Sequence, residues 1–130
     1  MAAGVLLVTH DGFGAAALAS AERVHGSLPL AVHAFDLPLG GDLAAVLPMA
    51  SGALRRIDRG EGVLILVDRA GGPASRLAAG LAQLGTPVRR VSGLSLPMLL
   101  RVLNYAEQSL DELALTAAAG ARNGVVLDDA

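Results

Sequence analysis

The sequence has no cysteine, no tryptophan and no lysine, and aromatic residues make up only 2% of it. Without cysteine there can be no disulfides, thiolate metal sites or cysteine nucleophiles. Without lysine there can be no Walker-type phosphate loop and no Schiff-base chemistry, since both need an amine. All ten basic residues are arginine. The chain has few rings to stack on bases, and its formal charge of −2 gives no electrostatic footprint for nucleic acid. No stretch approaches the roughly 20 apolar residues that a membrane span requires. The start, MAAGVLLVTHDG, lacks the basic segment of a secretory leader. A cytoplasmic protein is expected.

What is present is a chain of 130 residues, 53% of them hydrophobic, enough for one domain (1–130) with a real core. Alanine, leucine, valine and glycine must fill that core. Strand and helix signals alternate along it. The apolar runs Val5–Thr9, Leu30–Phe35, Val63–Val67 and Val88–Val91 predict four strands. Apolar residues at helical spacing predict helices over Gly14–Val24, Asp42–Ile57, Ala74–Leu84, Pro97–Tyr105 and Leu110–Ala121. Gly41-Asp42 suits a helix start, Pro97 a first turn and Gly85 a helix end. Gly124–Leu127 predicts a last short strand. This rhythm implies an α/β fold: a flavodoxin-like open sheet of four parallel strands, in the order 2-1-3-4, with helices on both faces.

One pattern occurs twice. Residues 4–14 read GVLLVTHDGFG and residues 62–72 read GVLILVDRAGG, so Asp68 stands where His10 stood. In the expected strand order these two strands are neighbours, and the order reverses between them. That is where ligands meet an open α/β sheet. Parallel neighbours lie roughly 4.8 Å apart, so His10 and Asp68 would extend from adjacent strand ends. A carboxylate there fixes the imidazole tautomer and frees the other ring nitrogen. The bland alternative is a solvated histidine beside an unrelated helix-capping aspartate. The turns Asp11-Gly12-Phe13-Gly14 and Ala70-Gly71-Gly72-Pro73 both enter helices and offer backbone N–H groups to an anion, although glycine turns are also ordinary loop chemistry. The loop Gly93–Leu99 either walls the same rim with apolar surface or is a plain turn.

Other chemistries fit less well. No G-x-S-x-G elbow is present. A phosphate-accepting receiver domain would need an acidic pair after the first strand and a lysine near the last. A dinucleotide site would need a full G-x-G-x-x-G. His25 near a helix end and His33 inside a strand have no partners at metal-ligand spacing, so no metal site is expected.

The segments VTHDGFG (8–14), VLILVDRAGGP (63–73), SGLSLPMLLRVLNY (92–105) and GARNGV (120–125) together resemble the enzyme IIA domain of the mannose family of the bacterial sugar phosphotransferase system. The resemblance implies a phosphotransferase that needs no cofactor. The histidine matching His10 takes a phosphoryl group from the carrier protein HPr and passes it to a IIB protein or domain, and the aspartate matching Asp68 orients the ring. It also implies a homodimer with an exchanged C-terminal strand, here Gly124–Leu127, and contact with a membrane only through transporter components. The expected phosphate cradle is Gly12, Phe13 and Gly14 with Gly71, Gly72 and Ser75. Phe13 and Met98 would help to exclude water. The family commonly has a hydroxyl residue before proline after the two glycines. Pro73 stands there instead, with neither hydroxyl nor amide N–H, and Ser75 is the residue left to take that role. The late loop reads Ser95-Leu96-Pro97 where Asn-x-Pro is typical. With no linker before Ala130, a free-standing IIA is expected, serving either sugar uptake or a regulatory relay. Two other readings stay open: the phosphoryl-donor subunit of a dihydroxyacetone kinase, and a degenerate regulatory module that binds partners without phosphotransfer.

Overall fold

The computed structural model describes residues 2–38 and 40–129. The elements run β1 (Gly4–His10), α1 (Phe13–His25), β2 (Val32–Leu37), α2 (Leu43–Ile57), β3 (Val63–Val67), α3 (Pro73–Leu81), β4 (Val88–Ser92), α4 (Leu96–Asn104) and α5 (Leu110–Asn123). All strand pairs are parallel and the sheet order is β2-β1-β3-β4. This is the expected flavodoxin-like α/β topology, with the reversal between β1 and β3.

The central strands are apolar throughout because both faces are covered. Val5 and Leu7 of β1 and Leu64 and Leu66 of β3 pack with Ala21 of α1, Met98, Leu99 and Leu103 of α4, and Leu113 of α5. Leu6, Val8, Val63, Ile65 and Val67 face the other way, against Val46, Ala50 and Leu54 of α2 and Leu77, Ala78 and Leu81 of α3. Leu6, Leu7, Leu64 and Leu66 are all fully buried, and each such side chain contributes about 1.5–3 kcal/mol. The two strands that carry His10 and Asp68 are thus the most firmly held part of the molecule.

Local chemistry sets the helix starts. Asp42 caps α2, its carboxylate accepting from the Ala44 amide. Ser109 and Glu112 form a reciprocal capping box on α5. Pro73 and Pro97 sit in first turns, where a missing N–H leaves no gap in the helical ladder.

Several predicted boundaries move, and one predicted strand is absent. β2 spans Val32–Leu37 rather than Leu30–Phe35, because its ladder with β1 runs from Val5↔Val32 to His10↔Leu37. Leu30 is buried without joining the ladder. α3 ends at Leu81, and its last carbonyls are taken up by tighter turns from the Gln83 and Leu84 amides. The expected strand at Gly124–Leu127 does not form in the single chain. Gly124 caps α5, donating to the Gly120 carbonyl, and Val125, Val126 and Leu127 are exposed. A strand needs a neighbouring backbone to take up its N–H and C=O groups, and among the described residues no strand pairs with this segment. Among the described residues, no helix is long and apolar enough to cross a membrane.

Candidate active site at the strand tips

β1 and β3 run in register as far as Val8↔Val67 and then part. His10 ends β1, and Asp68 follows β3 by one residue. Asp68 turns back toward β1. Its Oδ2 accepts from the His10 backbone N–H at 2.9 Å and lies 2.7 Å from His10 Nδ1, while Oδ1 accepts from the Arg69 amide at 2.7 Å. Burial alone would raise the Asp68 carboxyl. The His10 amide, the His10 ring and the Arg69 amide outweigh that and hold it below the ordinary carboxylate range. An ionised carboxylate only accepts, so Nδ1 carries the hydrogen and a neutral ring presents the lone pair of Nε2. The Asp68 side chain is 10% exposed and that of His10 is 69% exposed. The ring is anchored on one side and open on the other. Phe13 stacks on it, with ring centroids 5.5 Å apart.

The turn after β1 is held from inside. Gly12, at φ +91°, takes a backbone conformation that other residues adopt only with strain. Its amide donates to Asp36 Oδ2 at 2.9 Å. The Gly14 amide donates to the buried Thr9 Oγ1 at 2.8 Å, and that hydroxyl donates to the His10 carbonyl at 2.8 Å. A Cβ on Gly14 would lie 3.0 Å from both Thr9 Oγ1 and Asp36 Oδ1. This corrects the expected cradle. The Gly12 and Gly14 amides point at protein acceptors, and of these three residues only Phe13 shows no protein acceptor for its amide among the described residues. Thr9 and Asp36 were not foreseen as parts of the site. The signal for Asp36 was its place directly after the apolar run Leu30–Phe35, as His10 follows Val5–Thr9 and Asp68 follows Val63–Val67.

The turn after β3 is arranged differently. His10, Asp68, Arg69, Pro73, Ala74 and Arg76 line a cleft of about 360 Å³, closed on its far side by Leu37, Pro38, Gly41 and Leu43. The Arg69 guanidinium lies over Gly72. Ser75 is not brought to His10. It lines a separate hollow with Arg90 and Ser92 beside β4. At 100° per residue, the helical turn that aims Pro73, Ala74 and Arg76 at the cleft directs Ser75 away from it. Met98 is not at the rim either: it is fully buried beneath α4. Ser95 caps α4, accepting from the Met98 amide, so the loop 93–99 is a plain turn into a helix. His25 ends α1 and His33 lies near the start of β2, both away from the cleft. A larger hollow of about 820 Å³ lies at the opposite end of the sheet, between Ala2, Leu28, Ile57 and Ala106. It contains Arg59 and Glu107 but neither His10 nor Asp68, so the chemistry lies with the smaller cleft. Among the described residues, no three His, Asp or Glu side chains gather to hold a metal ion.

An open imidazole, tied through Nδ1 to a sheltered carboxylate at the switch point of a parallel sheet, defines a protein able to carry a group on histidine. Comparison with known proteins narrows that class. The family model described as the fructose IIA component of the phosphotransferase system matches residues 4–118. The chain belongs to this family, the mannose-type enzyme IIA components, and is thereby a phosphotransferase-system protein. A candidate phosphotransferase enzyme IIA component of Escherichia coli strain K12, YadI, is 31% identical over 104 residues, covering 80% of this chain and 70% of YadI. The mannose/sorbose-specific IIA subunit from Enterococcus faecalis superposes with a TM-score of 0.86 at 24% identity, over 100% of this chain and 97% of that one. A IIA component from Streptococcus agalactiae superposes with a TM-score of 0.82 at 21% identity, over 97% of each chain. These two structures share the fold.

Proposed function

We propose that the protein is a cytoplasmic phosphoryl carrier, which accepts a phosphoryl group from phospho-HPr on Nε2 of His10 and passes it to a IIB protein. The observation that carries this reading is the 2.7 Å contact between His10 Nδ1 and Asp68 Oδ2, which leaves Nε2 as the free nucleophile. In transfer, the Nε2 lone pair forms the new N–P bond as the donor's N–P bond breaks, and that electron pair returns to the donor ring. Nδ1 keeps its proton. The positive charge this leaves on the phosphorylated ring faces the Asp68 carboxylate. Alignment and charge stabilisation supply most of what such a loose transition state needs. Phe13 shields one face of the ring, and its amide, without a protein acceptor among the described residues, belongs to the positive end of the α1 dipole.

In this reading the protein works as a homodimer. The exposed apolar row Val125, Val126 and Leu127, together with the open edge of β4, suits pairing with a second copy.

The test is labelling with radioactive phosphoenolpyruvate in the presence of enzyme I and HPr. The wild-type chain should take up label in a form that is acid-labile and base-stable. His10→Ala should take up none. Label retained in His10→Ala would overturn the reading.

A further inference from the structure

We propose that Arg69 and Arg76 clamp the oxygens of the phosphoryl group carried on His10. The proposal rests on the reading of His10 as the phosphoryl acceptor and assigns the anion site that accompanies it.

Of the side chains lining the cleft, only His10, Arg69 and Arg76 can donate hydrogen bonds. Asp68 accepts, and the rest are apolar or glycine. Neither arginine is neutralised. Among the described residues, the ion pairs within 4.0 Å are His10–Asp68 and Arg89–Asp111. The one carboxylate of the cleft is already engaged: Asp68 Oδ2 receives the His10 amide and ring, and Oδ1 receives the Arg69 amide. Two cations therefore border, with no counter-charge of their own, the same cleft that His10 lines.

The arginines are placed as well as present. A Cβ on Gly72 would lie 3.0 Å from Arg69 Cζ and 3.1 Å from its Nη2, so the absent side chain of Gly72 leaves room for the guanidinium. Arg76 Nη1 approaches the Gly71 carbonyl at 3.5 Å, a contact too long to occupy its donors. Arg69 lies on the turn into α3 and Arg76 at the start of the helix itself, where Pro73 is the first helical residue and supplies no N–H. On the other turn, the Gly12 and Gly14 amides are committed to Asp36 and Thr9. On the α3 turn the Gly71 and Gly72 amides have no protein acceptor among the described residues, and the two guanidiniums add full positive charge beside those backbone donors. A guanidinium is permanently charged and matches two phosphoryl oxygens at once. Charge placed where the loose transition state spreads its own charge lowers the barrier.

The experiment measures transfer from phospho-HPr to the wild type, Arg69→Gln, Arg76→Gln, the double Gln variant and the corresponding Lys variants, with Arg89→Gln as control. Each single Gln variant should lose roughly tenfold in kcat and the double variant about a hundredfold, as for one and two charge-assisted hydrogen bonds, with little change in KM. The Lys variants should fall between, and Arg89→Gln should match wild type. The 31P resonance of the phosphorylated protein should also shift in the Gln variants, which a purely structural role would not produce. A double Gln variant with wild-type kcat and an unmoved resonance overturns the clamp while leaving His10 as acceptor. A rise in KM alone also overturns it and makes the arginines a docking surface for HPr. A wild-type chain that takes no label overturns the reading of His10 and the clamp with it. Free inorganic phosphate, titrated into His10→Ala, should bind weakly and lose that binding in the double variant; binding undisturbed there contradicts the clamp.

Discussion

The turns after β1 and β3 look alike in sequence, GVLLVTHDGFG against GVLILVDRAGG, yet the structure uses them in opposite ways. The first is filled from within: Thr9 and Asp36 take up the Gly14 and Gly12 amides, and the result is a rigid mount for His10 and Phe13. The second turns one carboxylate, Asp68, onto the histidine and leaves its arginines facing the cleft. The comparison teaches that a glycine turn at a strand tip is not in itself an anion site. What decides is whether neighbouring side chains have already accepted its N–H groups.

Five predictions test that contrast. The largest effect on stability should come from Thr9→Val. This change keeps the shape but leaves the buried Gly14 N–H without an acceptor, which costs about 1–3 kcal/mol. Urea unfolding should show the loss, and unchanged stability would mean that the first turn is not held by Thr9. Next, Asp68→Asn should fold but accept phosphoryl groups about ten- to a hundredfold more slowly, the expected consequence of losing one charge-assisted hydrogen bond. Stopped transfer assays against phospho-HPr would measure it.

The same carboxylate also sets a pH dependence. Its folded-state value is lowered, so its contribution to stability is complete at neutral pH and disappears as pH falls through that value. The Tm difference between wild type and Asp68→Asn should therefore narrow below about pH 4. A difference that stays constant down to strong acid would remove the ion pair from the account. Smaller again, Gly71→Ala meets open space but keeps φ at +81°, so it should cost about 1 kcal/mol through backbone strain alone and be visible in thermal melts. Smallest is Ser75→Ala, which should alter neither stability nor transfer, because Ser75 faces the hollow beside β4. A slowed Ser75→Ala would restore that hydroxyl to the site.

The strand order and the pairing of His10 with Asp68 were legible because period, apolar runs and chain reversal fix which strand tips meet. Val63–Val67 was read to the residue, since β3 is flanked by strands on both sides and buried throughout. β2 was misread by two residues because an edge strand takes its ends from one neighbour, and those ends follow β1 rather than its own apolar run. Asp36 was legible even so, as the residue directly after the apolar run Leu30–Phe35. Ser75 and Met98 were misplaced for a related reason: sequence proximity to the loops said nothing of which way a helix turns them. Arg69 and Arg76 stood in plain view, but only the cleft shows two cations on one side of the histidine.

Phosphoryl transfer through His10 turns on the choice of ring nitrogen. The protein, labelled with 15N in its histidines and phosphorylated through HPr, should show one-bond coupling between phosphorus and Nε2 of His10, with Nδ1 still protonated toward Asp68. Phosphorus coupled to Nδ1, or to a ring of His25 or His33, would contradict it.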